Sequence, residues 1–181
     1  MHLRPFEGKK PIIEEGVYID STALVIGNVV LARDSSVWPM AVIRGDVNSI
    51  EIGRKTNIQD GAVVHVTHDG PFTPGGHSTL IGNNVTVGHQ ATIHACEIQG
   101  SALIGMGARI LDAAIVEKQV IVGAGSLVSA GKRLESGYLY LGTPVKRIRP
   151  LTEKEIAHID YSANYYCALA SRHRESQASN G

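Results

Sequence analysis

The sequence predicts an all-β chain with a terminal helix, built as a parallel β-helix of hexapeptide repeats. Two observations carry that expectation. Reading every sixth residue gives Ile19, Val25, Leu31, Val37 and Ile43, then after a break Ile52, Ile58 and Val64, then Ile81, Val87 and Ile93. The series continues with Ile98, Ile104, Ile110, Val116, Val122, Val128 and Leu134, so every position in it is aliphatic. Four residues on, the side chain is mostly small or β-branched, as at Ala23, Val29, Ser35, Ala41, Thr56, Ala62, Val85, Ala91, Ala102, Ala108, Ala114 and Ser126. Each hexad supplies one flat strand and one tight corner, and three hexads close a triangular coil. The aliphatic residue fills a narrow prism in which branched chains of similar size stack well. Gly27, Gly53, Gly82, Gly88, Gly105 and Gly123 suit close-packed corners or positive φ. A β-sandwich would alternate with period two and would not hold a six-residue phase.

The elements follow in order. Residues 1–150 form the prism with its flanking segments. Thr67 to Ser78 is turn-rich and breaks the phase, which reads as a loop leaving the prism at a corner. After Leu134 the stretch from Leu141 to Pro150 reads as an extended connector. A C-terminal helix over 151–175 begins with Thr152 as N-cap, Glu155 closing a capping box, and Leu151 with Ile156 as hydrophobic staple. Ile156, Ile159, Tyr166 and Leu169 give it an apolar stripe to lay on the prism or on a neighbour. Residues 176–181 read as a disordered tail.

With 17 basic and 17 acidic residues in 181, nothing argues for nucleic acid or an anionic membrane surface. No apolar run is long enough to span a bilayer, and the first residues lack the apolar core of a signal peptide, so a cytoplasmic protein is expected. Cys96 and Cys167 form no metal-binding or framework pattern and read as reduced thiols.

The register also places the histidines. Arg44, His65 and His94 each follow the inward residue of the same face, so they form one outward column with members roughly 4.8 Å apart. Two imidazoles at that spacing can converge on one ion, because Zn–N bonds are about 2.0–2.1 Å. His89 lies two residues after Val87, on another face and over Asp60, so it cannot reach that ion within its own chain. A neighbouring prism could bring it there, which predicts a trimer with metals between subunits. His68 and His77 have the ordinary role of polar surface residues open to them. Arg44 and Asp46 could be an interface ion pair, and Gln59 and Asp60 could be corner hydrogen-bonders.

Arg44-Gly45-Asp46, Asn57-Ile58-Gln59-Asp60-Gly61, His65, and Gly88-His89 with His94 five residues on resemble the gamma-class carbonic anhydrases, most nearly the bacterial YrdA/PaaY subgroup. The likeness covers nearly the whole chain. It implies a left-handed β-helix homotrimer with His65 and His94 from one subunit and His89 from the next. The implied activity is reversible hydration of carbon dioxide to bicarbonate by a metal-bound hydroxide. Zinc is the default cofactor, with iron(II) or cobalt(II) also suited to imidazole. In this likeness Gln59 orients the reacting water or substrate, and Arg44 lies near bicarbonate and pairs across the interface with Asp46. Asp60 supports the inter-subunit network, and Asn57 positions Gln59.

The sequence departs from the family pattern at the proton exit. The best-studied gamma enzyme type has an acidic loop with a glutamate shuttle, where this chain has the shorter His65-Val66-Thr67-His68-Asp69. His68 could replace the glutamate, since imidazole titrates near neutrality, with Asp69 as a weaker candidate. Tyr161 and Asn164 on the helix could approach a neighbour's site. Alternatives are a thioesterase, a coenzyme A-dependent acyltransferase (Gly142-Thr143-Pro144 resembles the terminal motif of such enzymes), and a non-catalytic trimer stapled by metal.

Overall fold

The computed structural model describes residues 2–178. The aliphatic ladder is the core: Val25, Leu31, Val37, Ile43, Ile58, Val64, Val87, Ile93, Ile104, Ile110, Val116, Val122, Val128 and Leu134 are all 0% exposed. The small positions between them are buried too, including Ser35, Thr56 and Ser126. Parallel strands stack these residues in register, as in Ile43↔Val64, Ile93↔Ile110 and Ile58↔Val87. The chain therefore winds as a parallel β-helix with three faces.

Face two is a separate sheet, running from Tyr18–Ile19 through Ser36–Val37, Asn57–Ile58, Thr86–Val87, Leu103–Ile104 and Ile121–Val122 to Tyr138–Gly142. Faces three and one form one continuous sheet, because Leu24–Leu31 and Val42–Ile52 bend across the corner without leaving the ladder. Face three carries Val63–His65 and Thr92–His94, and the loop that follows His65 returns to face one at Thr79–Ile81. Thr67 and His77 pair across the base of that loop.

The prism extends beyond the hexad series at both ends. His2–Arg4 pairs parallel with Leu24, Val25 and Ile26, and Ile12–Ile13 pairs with Val30 and Leu31. At the far end Tyr140 takes the inward place, paired with Val122 and 4% exposed. The expected connector is instead part of an antiparallel hairpin, Tyr138–Gly142 against Val145–Pro150, turning at the cis Thr143–Pro144 bond.

The corner glycines mostly serve close stacking. Gly105 lacks positive φ, and a Cβ there would lie 2.4 Å from the Ala124 nitrogen of the next coil. Many positive-φ corners are held by other residues, among them Asp34, Lys55 and Asn84. Cys96 fills a small inward position where the series shortens by one residue, and burial pushes its thiol up to about 12.

The capping box forms as expected: Glu155 N donates to Thr152 Oγ1 at 3.2 Å, and Thr152 N donates to Glu155 Oε2 at 2.9 Å. The helix runs Glu153–Ala178, so residues 176–178, expected in a tail, belong to its last turn, while 179–181 lie outside the described residues. It docks on face two of its own chain. Ile159, Ala163 and Ala170 are buried there, and Tyr166 and Leu169 pack against the Tyr18–Trp38 cluster. Among the described residues, no helix is long and apolar enough to cross a membrane.

Candidate metal centre

His65 and His94 are register partners on adjacent strands, and their rings stand 5.2 Å apart, as column stacking demands. His65 Nδ1 and His94 Nε2 face each other at 3.2 Å. Two nitrogens bound to one tetrahedral ion at the usual bond length would be about 3.3 Å apart. The pair therefore fits a shared divalent cation.

The opposite ring nitrogens are held by carboxylates. His65 Nε2 lies 3.1 Å from Asp46 Oδ1, and His94 Nδ1 lies 2.7 Å from Asp112 Oδ1. This carboxylate–imidazole arrangement orients metal-binding histidines and selects their tautomer. Arg44 donates to the other oxygen of Asp46. Within the single chain, Arg44 and Asp46 therefore form an ion pair. Burial pushes the Asp46 carboxyl up, but hydrogen bonds from Arg44 and His65 outweigh it and hold it below its ordinary value. Burial also lowers His65, aided by the charges of Arg44 and His94 and opposed by Asp46, which favours the neutral, ligating imidazole.

His89 stands on the other sheet, after the Thr86–Val87 strand, with Nδ1 2.9 Å from Asp60 Oδ2. Asp60 is therefore the carboxylate that orients it. Among the described residues, no three His, Cys, Asp or Glu side chains converge on one point. One chain brings two of the three expected ligands together and leaves the third on a different face.

Gln59 is buried and donates through Nε2 to Asn57 Oδ1 at 3.1 Å. Asn57 Nδ2 in turn donates to Thr86 Oγ1 at 3.0 Å, and Thr86 meets the hydroxyl of Ser162 on the helix at 2.9 Å. Gln59 is thus fixed by a polar chain reaching from the prism to the helix. Beside it lies an open groove of about 400 Å³, lined by Gln59, His89, Leu103, Met106, Ile121 and Tyr166 among others. The stacked glycines Gly88, Gly105 and Gly123 also line it.

His68 and Asp69 are exposed on the loop, and Asp69 Oδ1 accepts from Gly75 N at 2.7 Å, the work of a turn residue. Among the described residues, the hydrogen-bonded group around His65 and His94 consists of Arg44, Asp46, Thr67 and Asp112, and His68 is not part of it. Asn164 accepts from Lys55 Nζ at 3.2 Å, and exposed Tyr161 stacks with His158 and Tyr165. Sequence reasoning missed Asp112 and Thr67. The available signal was that Asp112 follows Ile110 by two, in the corner adjoining His94.

No family model matches the chain. Individual relatives do. Protein YrdA of Escherichia coli is 54% identical over 164 residues, covering 91% of this chain and 89% of that protein. The mitochondrial gamma carbonic anhydrase 2 of Arabidopsis thaliana is 46% identical over 168 residues, 91% of this chain but 59% of the plant protein's length. A crystal structure of a hexapeptide transferase family protein from Anaplasma phagocytophilum superposes with a TM-score of 0.87 at 39% identity, covering 94% of this chain and 96% of that one.

Proposed function

Because the chain belongs to the gamma carbonic anhydrase-like family of hexapeptide-repeat proteins, we propose that it is a metal-dependent lyase of the carbonic anhydrase type, interconverting carbon dioxide and bicarbonate. Its site would form between subunits of a homotrimer, with His65 and His94 from one subunit and His89 from the next. The observation that carries this reading is the 3.2 Å approach of His65 Nδ1 and His94 Nε2, each ring braced by a carboxylate on its far side. A divalent ion bound there, zinc by default or iron(II) or cobalt(II), would supply Lewis-acid activation of water near neutral pH.

The chain's own residues supply the rest. Asp46, Asp112 and Asp60 hold the three imidazoles in orientation. With its amide nitrogen committed to Asn57, Gln59 keeps its carbonyl oxygen to accept a hydrogen bond from the reacting water. The Arg44 guanidinium offers a cation to bicarbonate. The apolar groove suits entry of an uncharged substrate. Exposed His68 would carry the proton to solvent. Free thiols at Cys96 and Cys167 accord with a cytoplasmic setting.

The decisive experiment is stopped-flow carbon dioxide hydration on the metal-quantified protein, loaded with zinc or with iron(II) under anaerobic conditions. Turnover well above buffer that disappears in His89→Ala, together with a trimer in sedimentation, supports the reading. A stable monomer, or full metal retention in His89→Ala, overturns the shared site. The groove also favours a second reading, hydrolysis or transfer of a small acyl group from a thioester. A fully metallated trimer that hydrates no carbon dioxide would move the assignment there.

A further inference from the structure

We propose that Asp112 is a positioning residue for His94, and that Thr67 holds Asp112 in place, tying the root of the 67–78 loop to the metal centre. The inference rests on the metal-binding reading above. His94 uses its two ring nitrogens differently: Nδ1 lies 2.7 Å from Asp112 Oδ1, while Nε2 faces His65 at 3.2 Å. A proton kept on Nδ1 by the carboxylate leaves the Nε2 lone pair free for an ion. The second carboxylate oxygen, Oδ2, accepts from the Thr67 hydroxyl.

The backbone makes this geometry specific. Ile93 pairs with Ile110, so the corner after Ile110 lies against the corner after Ile93. Ala113 N donates to Ala95 O at 2.7 Å, locking the residues that follow Asp112 and His94 to each other. Asp112 also differs from Asp46, which shares its charge with Arg44. Among the described residues, Asp112 pairs with no lysine or arginine, and its side-chain partners are His94 and Thr67. A carboxylate placed for surface charge balance would have a cation, whereas this one has an imidazole and a hydroxyl that fixes its rotation.

The test measures metal affinity by chelator competition, and the visible spectrum of the cobalt(II) form, for wild type, His94→Ala, Asp112→Asn, Asp112→Ala and Thr67→Val. Circular dichroism and sedimentation check that each variant folds and assembles. Asp112→Asn keeps the shape and removes the charge, and it should weaken metal binding by about 10–100-fold and shift the cobalt bands. Thr67→Val should show a smaller loss of the same kind. If Asp112→Ala fails to fold, the asparagine variant decides. A folded Asp112→Asn with wild-type affinity and an unchanged cobalt spectrum overturns the positioning role alone, provided wild type binds and His94→Ala does not. A wild-type protein that takes up no metal overturns the metal-binding reading and this inference together.

Discussion

Ile93 and His94 are neighbours on one short strand, yet they belong to stacks that obey opposite rules. The inward stack, Ile43, Val64, Ile93, Ile110 and Val128, is chemically uniform, and each member is 0% exposed. The outward stack beside it, Arg44, His65, His94 and Leu111, runs from a guanidinium through two imidazoles to an aliphatic chain. Inside the prism, each residue needs only the right volume and no polar atom, so its neighbours share the load. Outside, each side chain depends on one or two named partners, and no other coil duplicates them. Stability is distributed along the axis, whereas the candidate chemistry is concentrated in the few successive coils that carry Arg44, His65, His94 and Asp112.

Substitutions on that one strand should expose the contrast. Ile93→Asp places an unpaired carboxylate in the prism and should cost about 3–5 kcal/mol or prevent folding, read by chemical denaturation. His94→Ala, one residue on, should abolish metal uptake while changing unfolding free energy by about 1 kcal/mol or less. A large stability loss in His94→Ala would show that the outward column also supports the fold. Ile93→Val, which keeps the inward pattern, should cost about 0.5–1.5 kcal/mol and leave metal content unchanged by elemental analysis.

The helix start sharpens the comparison from a third position. Glu155 is held down to about 2 by hydrogen bonds from Arg149 and then from Thr152 N, against an ordinary value of 4.5. Its folded-state value is depressed, so its contribution is full above the unfolded value and is lost as pH falls from about 4.5 towards about 2. Helical circular dichroism should therefore weaken in that window, and Glu155→Gln should remove the pH dependence without touching the prism.

The inward ladder was legible in the sequence because one residue in six must be aliphatic whatever the neighbouring coils do. The pairing of His65 with His94, and the separation of His89, followed from counting along the same ladder. The first coil was hidden because Leu3 stands outside the six-residue spacing, although Ile13, six residues before Ile19, continues it. The last was hidden because Tyr140 is aromatic, its hydroxyl satisfied by Glu135 N at 2.8 Å. Asp112 was illegible for another reason. An aspartate in a corner reads the same whether it caps a turn, as Asp69 does, or braces an imidazole. Only the path of the backbone through that corner separates the two.

The hairpin at the end of the prism has a consequence for how copies of this protein meet. A stack of parallel strands is open at its last coil, where unpaired N–H and C=O groups could accept strands from another molecule and propagate a filament. On faces three and one the final strands, Leu127–Val128 and Arg133–Leu134, are too short to template much growth. On face two the final parallel strand is longer, and there Val145–Pro150 folds back in the opposite sense, presenting Lys146, Arg147 and Arg149 to solvent. The reversal of direction ends the parallel stacking on face two, so this end of the prism offers no long parallel edge to another copy.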